Sequence, residues 1–233
     1  MRWEYRILIA VLCGFCLFSG CKNSGEKANL PLLEQDIRVS ENRFTKWAEK
    51  IVKEPIDEAY TSVDELFERL RKDTVAYYVY SDWMIAAFYS VQSPCRNPGI
   101  FTYAAQKIIS DGVMTPDECA QYAKLLDWAL TNRQGEKAII PAPVAPGQRT
   151  LVLVLDLGCP SCREALDKLS ESKEWKDTRK VALGLGFGNL PDAPGWEIYR
   201  PENGNAVFDI HLTPVYYVVS PDGIVEKSYT LAL

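Results

Sequence analysis

The first part of the chain repeats its hydrophobic residues at the spacing of α-helices. Between residues 34 and 134, five stretches carry apolar side chains three and four positions apart, which predicts five helices that each bury one face. The third stretch, Val75 to Val91, is apolar around most of its circumference, so we expect the other helices to pack against it. Thr61 or Ser62 is available as the N-cap of the second helix, and Thr115 to Glu118 has the cap, proline and glutamate of a helix start. Residues 34–134 are therefore predicted to form a helical domain.

The spacing of hydrophobic residues changes after a linker rich in proline and alanine, Ile139 to Gln148. The elements expected beyond it are a strand over Leu151–Leu157, a helix from Cys162 to about Trp175, a strand over Val181–Leu185, a long loop from Gly186 to Asn205, and strands over Val215–Val219 and Ile224–Ser228. The last two strands are joined by Ser220-Pro221-Asp222-Gly223, which is typical of a hairpin turn. Residues 135–233 are therefore predicted to form an α/β domain with a mixed sheet.

Composition and charge narrow the function classes only slightly. The 233 residues are 47% hydrophobic and 24% charged, which is enough to build one or two ordinary cores. The formal net charge is −5, and no basic patch stands out that could neutralise phosphates. We therefore expect no nucleic-acid partner.

The N-terminus has the layout of an export signal. Arg2 and Arg6 precede the apolar run Ile7–Phe18, which is too short for a comfortable transmembrane helix, and small residues then lead to Cys21. This layout resembles a bacterial lipoprotein signal. The resemblance implies a signal peptide over residues 1–20 and lipidation at Cys21, and the alternative is an uncleaved membrane anchor.

Either arrangement places the folded chain outside the cytoplasm, in the bacterial cell envelope on the periplasmic or surface face of a membrane. Residues 21–33 are predicted to be a flexible tether, because most of them are small or polar and show no periodicity. An exported compartment permits stable disulfides. Three of the seven cysteines fall in the N-terminal segment, which leaves four for the fold. Cys95 and Cys119 lie in the predicted helical domain, either as a disulfide or as two buried free thiols.

The remaining two cysteines are spaced as C-x-x-C at the junction of a strand and a helix. The continuous apolar run from Leu151 suits a strand buried on both faces, and Pro160 suits the first turn of the next helix. A thiolate at Cys159 would face the unpaired N–H groups of that helix, which is how proteins activate a cysteine. The alternatives for Cys159 and Cys162 are a structural disulfide or half of a metal site. No further cysteine or histidine has the paired spacing of a zinc site, so we expect no metal.

The motifs in this part of the chain resemble a known fold. They are Cys159-Pro160-Ser161-Cys162 after the strand, the segment Leu212 to Val219 with its Thr-Pro pair, and Pro221-Asp222-Gly223-Ile224-Val225. Together they resemble the thioredoxin fold, and in particular the lipid-anchored thiol-disulfide oxidoreductases of Bacteroides-type bacteria. Several of those proteins carry a helical domain ahead of the thioredoxin-like one. Ser93 to Pro98 and Asn132 to Ala138 resemble stretches of that helical module.

The resemblance implies an α/β fold, with a thioredoxin-like mixed-sheet domain preceded by a small all-α domain, and a function without a cofactor. Cys159 would be the attacking thiol and Cys162 the resolving thiol, with Thr213 and Pro214 as the cis-proline element that binds substrate. The partners would be exported cysteine-containing proteins and an electron-transfer partner in the membrane or periplasm. Reduction is favoured over oxidation, because lipoproteins of this kind often resemble reductases.

Two departures from the family pattern keep a second function open. Gly158 stands where an aromatic residue often precedes the first cysteine, and Leu153 stands where thioredoxins keep a buried acid. Asp156 alternates to the opposite side of the strand from Leu153. The alternative is a noncatalytic surface lipoprotein that uses the thioredoxin-like fold as a scaffold for partner binding.

Three other residues have open roles. His211 lies two positions before Thr213 and is either a proton donor to a leaving thiolate or an ordinary surface residue. Trp196 and Tyr199 lie in the long loop. They either form part of a substrate groove or fix the loop to the core.

Overall fold

The computed structural model describes residue 33 and residues 36–143 and 147–230. The predicted signal peptide, Cys21 and nearly all of the predicted tether lie outside these described residues. Five helices come first in the described chain. They are α1 (Ile37–Ile51), α2 (Ile56–Leu70), α3 (Thr74–Phe88), α4 (Pro98–Ser110) and α5 (Pro116–Leu130). Within the described ranges, no helix is long and apolar enough to cross a membrane.

The helices begin where local capping chemistry allows. Thr115 and Glu118 form the expected capping box at the start of α5. The predicted N-cap of α2 was wrong: the helix begins at Ile56, directly after Pro55, and Thr61 lies inside it. Its hydroxyl donates to the carbonyl of Asp57 one turn earlier, a bond that a threonine inside a helix can make.

Helix α3 forms the centre of the helical part, as its pattern predicts. Tyr77, Tyr80 and Phe88 are fully buried, and α3 contacts α1, α2 and α4. Helix α5 instead packs mainly on α4. The large rings of α3 therefore supply much of the apolar area that stabilises this part of the chain.

The second part of the chain is a five-stranded mixed sheet with helices. Its elements are β1 (Thr150–Asp156), α6 (Pro160–Glu171), β2 (Arg179–Leu185), β3 (Glu197–Tyr199), α7 (Gly204–Val207), β4 (Val215–Val219) and β5 (Val225–Thr230). The strand order is β3-β2-β1-β4-β5, with β1, β2 and β3 parallel and β4 antiparallel to both β1 and β5. Strand β1 is central, so its C-terminal end delivers the cysteines to the middle of one sheet edge.

The predicted loop from Gly186 to Asn205 was partly wrong, because it contains β3 and the first residues of α7. Strand β3 has three residues and pairs with β2 through Val181 and Glu197. A segment this short shows no reliable alternation. The strand forms because β2 offers it a partner, which cannot be read from the local sequence.

The two faces of β1 pack against different elements. Leu151, Leu153 and Leu155 face the core that contains Cys162 and Leu166 of α6. The residues between them face a second core, whose other members include Ala138, Ile140 and Ala142. The first half of the proline-rich linker therefore packs on the face of the sheet opposite to α6.

The segment that directly follows the helical part pairs with the start of β5, and one buried polar contact joins the helices to the sheet part. Gly135 N–H donates to the Val225 carbonyl at 2.8 Å, and Val225 N–H donates to the Glu136 carbonyl at 2.9 Å. The Tyr89 hydroxyl, at the end of α3, donates to Oδ2 of the buried Asp209 at 2.8 Å. This contact holds the helices against the segment that leads into β4.

Candidate redox site

The turn between β1 and α6 holds Cys159 at the N-cap position of the helix. The carboxylate of Asp156 accepts from the Gly158 N–H at 2.9 Å, and the Asp156 carbonyl accepts from the Cys159 N–H at 3.1 Å. Pro160 occupies the first helical position, where a missing N–H costs no helical hydrogen bond. The side chain of Cys159 therefore lies at the positive end of α6 and remains partly exposed.

Several donors around Cys159 favour its thiolate. The hydroxyl of Ser161 lies 2.9 Å from Sγ of Cys159 and lowers the pKa of that thiol below its ordinary value. Partial burial acts against this shift, and the backbone N–H groups of Cys162 and Ser161 support it. The sequence did not indicate this role of Ser161, although its place inside the C-x-x-C motif was a signal for it.

Cys162 has the opposite environment, one helical turn further on. Its side chain is fully buried, and burial raises the pKa of its thiol to about 11. The Asp156 N–H donates to its sulfur at 3.3 Å. Cys159 and Cys162 are both free thiols here, so the structure represents the reduced pair. Their thiol pKa values are displaced in opposite directions.

The Thr213–Pro214 segment lies beside this pair. The bond between these residues is cis, Pro214 is buried, and the Thr213 side chain interacts with the Cys162 sulfur. The Thr213 hydroxyl and N–H both donate to the Ile210 carbonyl, at 2.6 and 3.2 Å. The Thr213 carbonyl accepts no hydrogen bond from the described residues. The structure thus brings the four sequence-predicted site residues of the sheet part together, while Cys21 lies outside the described chain.

The position beneath the cysteines is apolar. Leu153 is fully buried and belongs to the same core as Cys162. Asp156 does not replace the acid that thioredoxins keep there, because its carboxylate is held by the Gly158 N–H in the turn. Proton transfer at Cys162 therefore has no buried carboxylate on this strand to assist it.

An apolar rim lies next to the turn that carries Cys159. Gly158 has no side chain, and a Cβ placed there would lie 3.8 Å from the Phe187 carbonyl, so the loop after β2 passes close by. The Phe187 side chain is 97% exposed, and Leu190 in the same loop is also exposed. This surface could not be predicted from the sequence, because a single phenylalanine in an aperiodic loop gives no signal of its exposure.

The loop aromatics have structural roles. Trp196 is buried in the core beneath α6, and its Nε1–H donates to the Ser170 hydroxyl at 2.8 Å. Tyr199 donates to Glu197 within β3 at 2.9 Å. Tyr199 also packs against the second sheet core, so both residues fix the loop to the fold, which was one of the two alternatives. His211 is exposed, and no hydrogen bond among the described residues connects its imidazole to either cysteine.

The other two cysteines are not part of this site. Cys95 and Cys119 are both free and buried in the helical part, where burial raises the pKa of each thiol. The alternative of two free thiols therefore describes this structure. The described residues contain no group of three or more histidine, cysteine and acidic side chains that could hold a metal ion.

The comparisons with known proteins identify the fold. No protein-family model matches the sequence, and no curated protein does. Among solved structures, the chain is similar to a thioredoxin-like protein from Bacteroides caccae ATCC 43185. The TM-score is 0.66 at 15% identity, over 85% of this chain and 83% of that chain. The predicted fold class is thus confirmed: the chain has an α/β, thioredoxin-like fold with a mixed sheet, preceded by helices.

Proposed function

We propose that this protein is a thiol-disulfide oxidoreductase that acts on exported proteins through Cys159 and Cys162. The observation that carries the proposal is the different surroundings of two cysteines within one helical turn: Cys159 is partly exposed beside the Ser161 hydroxyl, and Cys162 is fully buried. The partly exposed sulfur of Cys159 favours the thiolate and can attack a disulfide. The buried sulfur of Cys162 stays protonated and can act as the resolving thiol in the second step. The thioredoxin-like fold supports this assignment.

The reaction has two exchange steps. The Cys159 thiolate attacks one sulfur of a substrate disulfide, so that a mixed disulfide forms and the other substrate sulfur leaves as a thiolate. Cys162 then loses its proton and attacks Sγ of Cys159, which releases the second substrate thiolate and leaves a Cys159–Cys162 disulfide. The substrate gains two electrons and the protein loses two. The reverse sequence oxidises a substrate dithiol.

Substrate is positioned by the segment that ends in Thr213 and Pro214. The carbonyl of Thr213 accepts no hydrogen bond from the described residues, and in this proposal it accepts one from a backbone N–H of an extended substrate segment whose cysteine meets Cys159. Reduction is the favoured direction. It requires an electron-transfer partner in the membrane or periplasm that returns two electrons to the Cys159–Cys162 disulfide.

The test is a trapping experiment combined with a turnover assay. Cys162→Ala removes the resolving thiol, so mixed disulfides with exported proteins are expected to accumulate on Cys159 and to disappear on treatment with dithiothreitol. The wild type is expected to accelerate the reduction of insulin by dithiothreitol, and Cys162→Ala is not. Unchanged insulin reduction by Cys162→Ala would contradict the assigned roles.

Two control variants make this test specific. Cys159→Ala/Cys162→Ala is expected to trap nothing, because it lacks the attacking thiol. Cys95→Ala removes a thiol that is buried in the helical part, and it is expected to leave insulin reduction unchanged. Loss of turnover in Cys95→Ala with unchanged thermal stability would contradict the assignment.

We also propose that Cys21 carries a lipid and that residues 21–33 tether the protein to a bacterial envelope membrane. The support is the layout of the first residues, with two arginines, a short apolar run and small residues before Cys21. Cys21→Ala is expected to move the protein from the membrane fraction to the soluble fraction. Unchanged membrane retention would indicate an uncleaved anchor instead.

A noncatalytic scaffold is the second candidate, and the burial of Leu153 beneath the cysteines favours it. Without a buried acid, deprotonation of Cys162 lacks one means of assistance. The two candidates differ in outcome. A scaffold would give no insulin reduction and no trapped partner, with Cys162→Ala folded as stably as the wild type.

A further inference from the structure

A cavity of about 550 Å³ lies between the helical part and the sheet part. Tyr60, Arg96 and Trp128 line it from the helices, and Asp209, Leu212 and Tyr217 line it from the sheet side. A cavity of this size can enclose a small organic molecule. Both segments that resemble the helical module, around Arg96 and around Arg133, contribute to its wall.

Arg96 is the unusual group in this wall. Its side chain is half-buried, and Nε donates to the Tyr89 carbonyl at 3.3 Å. No carboxylate among the described residues lies within ion-pair distance of it, and neither terminal guanidinium nitrogen donates to one of them. The fold therefore partly desolvates this charge without pairing it, and burial lowers the pKa of the guanidinium. An unpaired, partly buried cation favours a bound anion.

The other charged groups of the cavity already have partners. Arg133 is paired with Glu136 at 2.5 Å. Asp209 accepts from the Tyr89 hydroxyl and from the His211 N–H, and it remains a buried carboxylate beside the cavity. One positive charge is therefore available, and a ligand with two negative charges would face repulsion from Asp209. These charges favour a monoanion.

The rest of the wall suits an aromatic ligand. Tyr60 and Tyr103 are stacked with ring centroids 4.2 Å apart, and the Tyr60 hydroxyl makes no hydrogen bond with the described residues. Further apolar surface comes from Leu212 and Val215. Aromatic rings pack well against such walls, and a hydroxyl without a partner can bond to an acceptor on the ligand.

We infer that this cavity binds a small monocarboxylate with an aromatic body. The two terminal nitrogens of Arg96 hold the carboxylate in the paired geometry that a guanidinium offers, and the tyrosine pair and neighbouring apolar residues enclose the rings. This binding is non-covalent and requires neither Cys159 nor Cys162. It is therefore a function beyond thiol-disulfide exchange.

The experiment measures binding of 2-naphthoate and of its neutral analogue 2-naphthamide to the purified full-length protein by isothermal titration calorimetry. We expect saturable binding of one 2-naphthoate, and affinity for 2-naphthamide lower by about tenfold or more, because the amide cannot pair with a guanidinium. Equal affinity for the two compounds, or absence of 2-naphthoate binding at millimolar concentration, would overturn the inference.

Variants test the role of Arg96 directly. Arg96→Gln is expected to weaken 2-naphthoate binding by about tenfold or more and to leave 2-naphthamide binding unchanged, and Arg96→Lys should give an intermediate loss. Arg163→Gln is the control, since Arg163 is an exposed arginine of α6 outside the residues that line the cavity, and its effect should stay below about twofold. Wild-type affinity in Arg96→Gln would overturn the inference, and unchanged 2-naphthamide binding shows that this variant is folded.

A final variant separates this site from the redox site. Cys159→Ala/Cys162→Ala is expected to bind 2-naphthoate as the wild type does. If insulin reduction fails and 2-naphthoate still binds, only the proposed redox function is lost. If insulin reduction is found and 2-naphthoate does not bind, only the proposed ligand site is lost.

Discussion

Two cysteines of one motif acquire different chemistry from their immediate surroundings. The Cys159 sulfur lies 2.9 Å from the Ser161 hydroxyl at the start of α6, whereas Cys162 points into the core and is fully buried. Because a hydrogen bond stabilises the thiolate and desolvation destabilises it, the pKa values of the two thiols move apart. This asymmetry depends on single groups, so single substitutions can test it.

Ser161→Ala is expected to raise the pKa of Cys159, because it removes the largest favourable contribution to the thiolate. A hydrogen bond to a partly exposed anion is worth about 1 kcal/mol, which corresponds to about fivefold less thiolate at neutral pH. The measurement is the rate of alkylation by iodoacetamide against pH in a Cys162→Ala background. Ser172→Ala, at the other end of α6, is the control and should leave the rate profile unchanged. An identical profile for Ser161→Ala would show that the hydroxyl does not stabilise the thiolate.

At this scale the sequence predicts local chemistry well and distant contacts poorly. Cys159, Cys162 and the Thr213–Pro214 pair were predictable, because a strand end, a helix start and short motifs position them. The contact between Tyr89 and Asp209 was not, since the two residues are 120 positions apart. No pattern in the sequence around either residue predicts the other as its partner.

Among the structural elements, the loop after β2 contributes most to the surface beside the redox site. Its backbone passes the turn at Gly158 while Phe187 extends into solvent. The base of the loop is fixed by Trp196, which packs under α6 and bonds to Ser170. A fixed loop with an exposed ring next to a reactive sulfur is suited to contact apolar residues of a protein substrate.

Phe187→Ser is expected to raise KM for insulin by about threefold to tenfold, because part of the apolar contact area with the protein substrate is lost. The kcat for reduction of a small disulfide, such as oxidised glutathione, should not change. Stability should also stay within about 0.5 kcal/mol, since the ring is 97% exposed. Val75→Ser removes another exposed apolar side chain, at the start of α3, and serves as the control. An unchanged KM for insulin would exclude Phe187 from the substrate surface.

Element prediction succeeded where the pattern extended over many residues. The five N-terminal helices, β1, β2, β4 and α6 each carry several periodic positions. Strand β3 and helix α7 have three and four residues, and the sheet and core that surround them determine their conformation. The start of α2 was misplaced because Pro55 caps the helix nearly two turns earlier than the threonine and serine caps suggested.

In the whole molecule, the two parts depend on one another through a buried carboxylate. Asp209 is 4% exposed and is held by the Tyr89 hydroxyl and by the N–H of His211. A buried charge that loses a donor becomes strongly unfavourable. The helices are therefore expected to stabilise the segment before Thr213 and Pro214 as well as their own core.

Tyr89→Phe is expected to lower the free energy of unfolding by about 2 kcal/mol, because it leaves the buried carboxylate with one donor fewer. Tyr103→Phe is the matched control. Tyr103 donates to Asp64 at the same 2.8 Å distance, but the Asp64 side chain is 44% exposed, so water replaces the lost hydroxyl. The loss in the free energy of unfolding of Tyr103→Phe should therefore be below about 1 kcal/mol. Urea denaturation measures both variants, and equal losses would show that burial of Asp209 does not increase the cost.

The packing of the proline-rich linker limits how this protein can be divided or recombined. Ala138, Ile140 and Ala142 form part of the core on one sheet face, and both backbone groups of Ile139 are held by the side chain of Asn132. A gene fusion joined after Ala142 would carry the sheet without part of its own core. A fragment that contains the sheet with its complete core therefore has to begin before Asn132, within the predicted helical domain.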